Sequence, residues 1–112
     1  MNTISTHILD ISLGKTAPNV EVTLEQQNDG QWSKIGTAST DSDGRIKVFS
    51  EGFELQETVY RLTFETSAYF DSLGTESFYP FVQLVFEVRD ANQHYHVPLL
   101  LSPFGYSTYR GS

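Results

Sequence analysis

Apolar and polar residues alternate with a period of two along most of the chain, and this alternation constrains the fold more than any other feature. It is typical of half-buried β-strands, because successive side chains of a strand point to opposite faces of the sheet. The pattern predicts strands over residues 3–9, 20–25, 32–37, 45–49, 59–65, 81–89 and 94–101.

Turn sequences separate several of these strands. Asn28-Asp29-Gly30 is typical of a tight hairpin, and residues 41–44 and 90–93 predict further turns. Residues 66–74 break the alternation: the segment starts with two helix N-cap candidates, Thr66 and Ser67, and ends in Gly74. We therefore expect an all-β, two-sheet β-sandwich of about seven or eight strands with one short helix. Residues 1–112 contain no repeat or linker and are expected to form one domain.

Composition excludes several classes of partner. The formal net charge is −7, from 14 acidic residues against 7 Lys and Arg, so the basic patch that nucleic acids require is not expected. The longest apolar run, residues 97–101, is too short to span a bilayer, and the first residues lack the features of a signal peptide. We expect a cytoplasmic protein that binds neither nucleic acid nor membrane. The absence of Cys excludes disulfides and thiolate metal sites.

Two of the three histidines, His94 and His96, share one face of the last predicted strand. The opposite face carries Tyr95, Val97 and further apolar residues, so the histidines should line a cleft, an interface or solvent. Together with His7 they could form a zinc tripod with water as fourth ligand. Neutral imidazoles could instead accept protons near neutral pH, or each His could simply complete a hydrogen bond at a strand edge.

Asp41-Ser42-Asp43-Gly44 has the appearance of the start of a calcium-binding loop, but the following positions do not fit. The sixth position would be Ile46 instead of Gly, and the twelfth would be Gly52 instead of Glu. We interpret the segment as a turn that presents Arg45 at the start of the next strand. A guanidinium there could bind a carbonyl or anionic oxygen in a bidentate manner, although an ordinary solvated Arg would also fit.

The final residues, Tyr109-Arg110-Gly111-Ser112, combine an aromatic ring, a permanent cation, a flexible Gly and a hydroxyl group. Chain ends are more often frayed and chemically plain. The composition of this tail indicates that it contributes to a binding site, next to the strand that carries His94 and His96.

Three stretches of the sequence carry a resemblance to a known family. They are Ser5-Thr6-His7-Ile8-Leu9-Asp10, Thr40-Asp41-Ser42-Asp43-Gly44-Arg45, and residues 94–103 running into Tyr109-Arg110-Gly111-Ser112. The chain resembles the 5-hydroxyisourate hydrolases, the transthyretin-related enzymes of purine breakdown. The terminal tetrapeptide separates these hydrolases from transthyretin, the hormone carrier of the same fold. Thr16 stands where Pro is usual in the family.

The resemblance implies catalytic roles for His7, Arg45 and His96, of which His7 and Arg45 would also bind substrate. It implies that Tyr109, Arg110, Gly111 and Ser112 shape the substrate pocket, and it assigns no core role to His94. It also implies a homotetramer with its sites at the dimer–dimer interface, and neither metal nor organic cofactor, which argues against the zinc tripod.

The reaction implied is hydrolysis of 5-hydroxyisourate, a small purine-derived ring, to 2-oxo-4-hydroxy-4-carboxy-5-ureidoimidazoline in urate catabolism. His-activated water would attack the ring, and Arg45 would stabilise the developing charge. A non-enzymatic, transthyretin-like carrier of a small ligand is the main alternative. A metal-dependent hydrolase is a third interpretation.

Overall fold

The computed structural model describes residues 3–112 and arranges them in two β-sheets with one short helix. The strands are β1 (Ile4–Asp10), β2 (Lys15–Thr16), β3 (Glu21–Asn28), β4 (Gln31–Ser39), β5 (Arg45–Ile46), β6 (Val59–Phe64), β7 (Val82–Glu87), β8 (Tyr95–Ser102) and β9 (Gly105–Thr108), and the helix is α1 (Thr66–Ser72). The expected all-β sandwich with one short helix is confirmed. No helix in the described range is long and apolar enough to cross a membrane.

The first sheet has the order β2-β1-β8-β9, and β5 pairs with the same edge of β1 as β2. Its central pair, β1 and β8, is parallel, whereas its other pairs are antiparallel. The second sheet has the order β4-β3-β6-β7 and is antiparallel throughout. The strand β1 therefore lies between β8 and the short strand β5. Three segments that are far apart in the sequence are thus neighbours in the first sheet.

The hydrophobic core lies between the two sheets and follows the predicted alternation. On β1, Ile4 and Ile8 are buried together with Thr6, whose hydroxyl donates to the carbonyl of Val97. The core also contains side chains of β3, β5, the helix and the loops, together with three side chains of β6, four of β8 and three close to or within β7: Tyr60, Leu62, Phe64, Tyr95, Val97, Leu99, Leu101, Val82, Leu84 and Val88. Each large apolar side chain buried in this way contributes about 1.5–3 kcal/mol relative to its exposed state.

One predicted strand is shorter than expected, and two short strands were not predicted. The strand predicted over residues 45–49 pairs only at Arg45–Ile46. Beyond Ile46 the chain leaves β1 and passes across β4, where the Phe49 carbonyl lies so close to Gly36 that a Cβ there would clash with it. The short strands β2 and β9 were not predicted, because a two-residue strand and the mostly exposed β9 have no apolar alternation to reveal them.

The turns are closer to expectation. The β3–β4 hairpin has a two-residue turn in which Asp29 and Gly30 both have positive φ, 52° and 76°. This is the backbone of a type I′ turn, for which Asx-Gly is the favoured sequence.

The helix begins differently from the prediction. The N-cap position is Glu65, without a side-chain cap, and Thr66 is instead a buried first helical residue. The C-terminal end confirms the role of Gly74, whose φ is 68°. Its amide and that of Thr75 donate to the carbonyls of Asp71 and Phe70, which is the Schellman arrangement.

Candidate active site

Strand pairing brings three of the predicted site residues onto adjacent strands. In the register of the first sheet, Ser5 on β1 lies opposite His96 on β8, and His7 lies opposite Arg45 on β5. All four side chains project from the sheet face that points away from the core, because their neighbours in sequence are buried. The parallel β1–β8 pairing, which joins distant parts of the chain, is thus what assembles the site.

A cavity of about 350 Å³ opens on this face. Its volume is at the lower end of the range usual for small-molecule sites, about 300–1,000 Å³. The cavity is lined by Thr3, Ser5, Thr6, Arg45, Ile46, Lys47, His94, His96 and Ser112. His7 lies beside it and is not one of the lining residues.

The imidazole of His96 is held through one of its nitrogens. Its Nδ1 lies 2.8 Å from the Ser5 hydroxyl oxygen, and the same oxygen lies 2.9 Å from Nε2 of His94. Ser5 is buried, with 7% of its surface exposed. Because Nδ1 is engaged, Nε2 is the nitrogen of His96 that remains for a ligand.

The pKa of His96 lies below the ordinary value for histidine. Burial is the largest cause, and the positive charges of Arg45 and of protonated His7 and His94 add to it. Both effects disfavour the imidazolium form. His96 is therefore held as a neutral imidazole at neutral pH, the form in which it can accept a proton.

His7 differs from His96 in that its Nε2 is buried without a hydrogen-bond partner among residues 3–112. Buried polar atoms in folded proteins nearly always have a partner, either protein or water. An orphaned nitrogen next to the cavity, directly across from Arg45, is therefore suited to bind a water molecule or a polar group of a ligand.

The turn that precedes β5 presents Arg45 as predicted. A carboxylate oxygen of Asp41 accepts hydrogen bonds from the amides of Asp43 and Arg45, at 2.8 and 3.0 Å. Gly44 has φ of 72°, and a Cβ there would lie 2.6 Å from the carbonyl oxygen of Ile8. The Arg45 side chain is exposed, and its guanidinium makes no hydrogen bond or ion pair with the described residues. The turn thus fixes the backbone and leaves the guanidinium available.

The tail folds back over β8. The Gly111 amide donates to the carbonyl of His96 at 2.8 Å, which brings Ser112 to the cavity. Arg110 anchors this segment: its guanidinium carbon lies 4.3 Å from the centre of the Tyr95 ring, and Nη2 donates to the side-chain oxygen of Gln93 at 2.7 Å.

The predicted tail residues are divided between two cavities. Ser112 lines the cavity of His96, whereas Tyr109 and Arg110 line a separate one of about 370 Å³ between β7 and the end of the chain. The walls of that second cavity include Leu84, Phe86, Tyr95 and Val97, so it is largely apolar.

Sequence reasoning missed Ser5 and Lys47 as cavity residues and set His94 aside. Strand parity could have indicated Ser5, since it shares a face of β1 with His7. The three histidines do not form a tripod, because the part of the chain that is described contains no group of three or more His, Cys, Asp or Glu placed to hold a metal ion.

Comparison with known proteins gives consistent similarities. The profile of the HIUase/Transthyretin family matches residues 4–111. The 5-hydroxyisourate hydrolase of Salmonella dublin is 49% identical over 111 residues, which cover 99% of this chain and 82% of that protein.

Two solved structures are also similar. The 5-hydroxyisourate hydrolase of Klebsiella pneumoniae has a TM-score of 0.85 and 40% identity, covering 97% of this chain and 98% of that one. Sea bream transthyretin, solved in complex with thyroxine, has a TM-score of 0.89 and 34% identity, covering 96% of this chain and 93% of that one.

Proposed function

As the chain belongs to the HIUase/Transthyretin family, we propose that it is a 5-hydroxyisourate hydrolase of urate breakdown. The observation that carries this proposal is the placement of His7, Arg45 and His96 on three adjacent strands around one face of the first sheet. A carrier has no need of an imidazole and a guanidinium that line one small cavity, with a second imidazole on the strand between them.

The substrate is a compact ring rich in carbonyl and N–H groups, and the reaction opens its six-membered ring. Water oxygen bonds to a ring carbonyl carbon, the ring C–N bond breaks, and the departing nitrogen takes a proton. The product is 2-oxo-4-hydroxy-4-carboxy-5-ureidoimidazoline. His96, neutral and with Nε2 free, and His7, with its orphaned Nε2, orient and deprotonate the water. A positioned base of this kind contributes about 10²–10⁴-fold.

Arg45 binds the oxygen on which negative charge develops during attack. Its planar guanidinium can donate two parallel hydrogen bonds to one or two substrate oxygens. The guanidinium carries no competing ion pair among residues 3–112, so binding substrate does not require an existing contact to break. Donors aimed at developing charge are worth about 10²–10³-fold in rate.

The tail completes the substrate pocket in two ways. Ser112 contacts the substrate directly from the cavity wall, and Gly111 allows the chain to approach His96 closely. Arg110 holds the tail in position through its contacts with Tyr95 and Gln93. Tyr109, which precedes it, shapes the pocket together with the rest of the tail. No metal or organic cofactor takes part in this mechanism.

We place the sites in a homotetramer, at the interface between dimers. The strands β7 and β9 are the last strands of their sheets, and a free edge readily pairs with another chain. Large apolar side chains are exposed close to these edges, including Val85 (61%), Phe104 (63%) and Tyr109 (57%). Exposed apolar surface of this kind commonly marks an interface.

A small-ligand carrier is the alternative function, favoured by the similarity to sea bream transthyretin. The two are separated by following the ultraviolet decay of freshly generated 5-hydroxyisourate with the protein, with the protein plus chelator, and without protein. We expect the protein to accelerate decay well above the spontaneous rate, with or without chelator. Decay at the spontaneous rate with folded protein would indicate a carrier, and loss of activity with chelator would indicate a metal-dependent hydrolase.

A further inference from the structure

The Ser5 hydroxyl connects His94 to His96. Its oxygen lies 2.9 Å from Nε2 of His94 and 2.8 Å from Nδ1 of His96. These are its only hydrogen-bond partners among residues 3–112, and Ser5 is buried. His94 is exposed at the other end of the chain of hydrogen bonds, whereas His96 is partly buried.

A count of protons restricts how the three groups can be arranged. A Ser hydroxyl donates one hydrogen and accepts others, while a neutral imidazole has one N–H and one bare nitrogen. If Ser5 donates to His94, it accepts from Nδ1–H of His96, and Nε2 of His96 is bare and basic. If Ser5 donates to His96 instead, then Nε2 of His96 carries the proton and cannot act as a base.

Neutral His94 permits both arrangements, because its hydrogen can lie on either ring nitrogen, whereas protonated His94 permits only one. Protonated His94 has a hydrogen on Nε2, so Ser5 can no longer donate to it and must accept. The Ser5 hydrogen is then directed to Nδ1 of His96, because a buried hydroxyl hydrogen without an acceptor is unfavourable. This forces neutral His96 into the form that carries its proton on Nε2.

We propose that Ser5 and His94 are positioning residues that determine which nitrogen of His96 carries the proton, and that protonation of His94 converts His96 from a base into a donor. This inference rests on the proposed role of His96 as the base. The ionisable groups that face His96 are His7 on β1, Arg45 and Lys47 at and after β5, and His94 before β8. Arg110 is turned away, onto Tyr95.

The tautomer of His96 can be measured without substrate. Long-range ¹H–¹⁵N correlation spectra of imidazole nitrogens distinguish a protonated from a bare nitrogen. For the wild type, at a pH where both histidines are neutral, the proposed role of His96 as the base requires bare Nε2 on His94, protonated Nδ1 on His96 and bare Nε2 on His96. In Ser5→Ala this preference should disappear, and in Ser5→Thr, which keeps the hydroxyl, it should persist.

His94→Arg provides a second variant, at an exposed position where we expect the fold to be retained. Arg is a permanent donor and imitates protonated His94 at every pH. We expect Nε2 of His96 to be protonated in His94→Arg. Finding bare Nε2 in this variant, or finding Nε2–H in the wild type, would overturn the proposal even if Ser5→Ala failed to fold.

Kinetics provide the functional readout. Ser5→Ala and His94→Arg should lower kcat by about 10–10³-fold with little change in KM, less than the loss of about 10⁴ seen when a charged tautomer-fixing group is removed from a serine protease. Ser33→Ala, an exposed Ser on the other sheet, is the matched control.

The outcomes separate this inference from the proposed function. If the His96 tautomers are as expected but the wild type does not hydrolyse 5-hydroxyisourate, the hydrolase assignment is refuted. The control of the His96 tautomer by Ser5 and His94 would then still hold. Hydrolysis by the wild type, with His96 tautomers unaffected by the substitutions, would refute only the control of the His96 tautomer by Ser5 and His94.

Discussion

The backbone amide of Gly111 donates a hydrogen bond to the carbonyl oxygen of His96 at 2.8 Å, and there is no room for a side chain between them. A Cβ on Gly111 would lie 2.6 Å from Cδ2 of His96 and 3.3 Å from Cγ of Pro98. The His96 ring cannot move away freely, because Ser5 holds its Nδ1. The tail and the imidazole thus determine each other's position.

Gly111→Ala is therefore expected to displace the His96 ring and to lower kcat by about 10–100-fold, as displacements near 1 Å do in active sites. The melting temperature should change little, since the tail is at the surface. Gly105→Ala is the matched control, because its Cβ would meet only the Ser102 hydroxyl at 3.7 Å. Equal kcat for both variants would show that the close approach of Gly111 has no catalytic role.

Substitution of Arg45 tests its role as an oxyanion donor. Arg45→Met should lower kcat/KM by about 10²–10³-fold. Arg45→Lys keeps the charge but loses the bidentate fork, and it should recover only part of this loss. Arg89→Lys, at an exposed Arg paired with Glu87, is the control. Steady-state kinetics give kcat/KM for both Arg45 variants. Near-normal turnover by Arg45→Lys would contradict bidentate binding.

The pKa of His96 provides a prediction that does not depend on activity. Burial lowers this pKa most, and the positive charge of Arg45 lowers it further. Removing that charge in Arg45→Met should therefore raise the pKa of His96, so that the ring protonates at higher pH than in the wild type. The Cε1 proton resonance of His96 reports the midpoint during an NMR titration. Lys34→Met on β4 should leave the midpoint unchanged, and an unchanged midpoint in Arg45→Met would contradict the proximity of the two charges.

Arg110 is predicted to hold the tail through Tyr95 and Gln93. Arg110→Ala should release Gly111 and Ser112 and raise KM, while the sandwich remains folded. A cation–π contact at an exposed site is worth about 0.5–1 kcal/mol, so the effect on unfolding should be small. Circular dichroism melting together with initial rates separates the two effects. A large fall in melting temperature would assign Arg110 a structural role instead.

Stability depends on a buried carboxylate at the end of β1. Burial alone would raise the pKa of Asp10, but hydrogen bonds from the side chains of Ser12 and Tyr69 and from the amides of Leu13 and Ser12 outweigh it, so the pKa is lowered. Tyr69 donates from α1 to Oδ2 at 2.7 Å and thereby joins the helix to the first sheet. A lowered pKa means that the stabilisation is present above about pH 3.9 and is lost as the pH falls through the pKa of the folded state.

Tyr69→Phe should therefore lower the free energy of unfolding by about 1–3 kcal/mol at neutral pH. The difference from wild type should shrink in acid, once Asp10 is protonated. Urea unfolding of Tyr69→Phe and wild type, at neutral pH and in acid, measures this difference in the free energy of unfolding. Tyr79→Phe is the control, because the Tyr79 hydroxyl has no hydrogen bond to any other residue in the range 3–112. A difference that does not depend on pH would contradict the assigned carboxylate.

Local patterns accounted for the parts of the fold that depend on neighbouring residues. The β3–β4 hairpin followed from Asp29-Gly30, and the turn before Arg45 followed from its Asx and Gly residues. The end of strand pairing at Ile46 could not be predicted, because Ile46 and Val48 continue the apolar alternation, whereas in the structure Phe49 lies over Gly36 of β4. The helix N-cap was misassigned for a similar reason, since Thr66 is used for burial and not for capping.

The site shows the same division. The residues His7, Arg45 and His96 were singled out by resemblance, and spacing alone left a zinc tripod open. The parallel pairing of β1 with β8 could not be predicted from local sequence, because it brings together Ser5 and His96, which are 91 positions apart. The link from His94 through Ser5 therefore becomes visible only in three dimensions.

The most direct test of the central claim is the rate of 5-hydroxyisourate decay with wild type and with His96→Ala, in chelator and above a protein-free blank. We expect rapid decay with the wild type and decay near the blank rate with a folded His96→Ala variant. Equal acceleration by both proteins would contradict the assignment of His96 as the base.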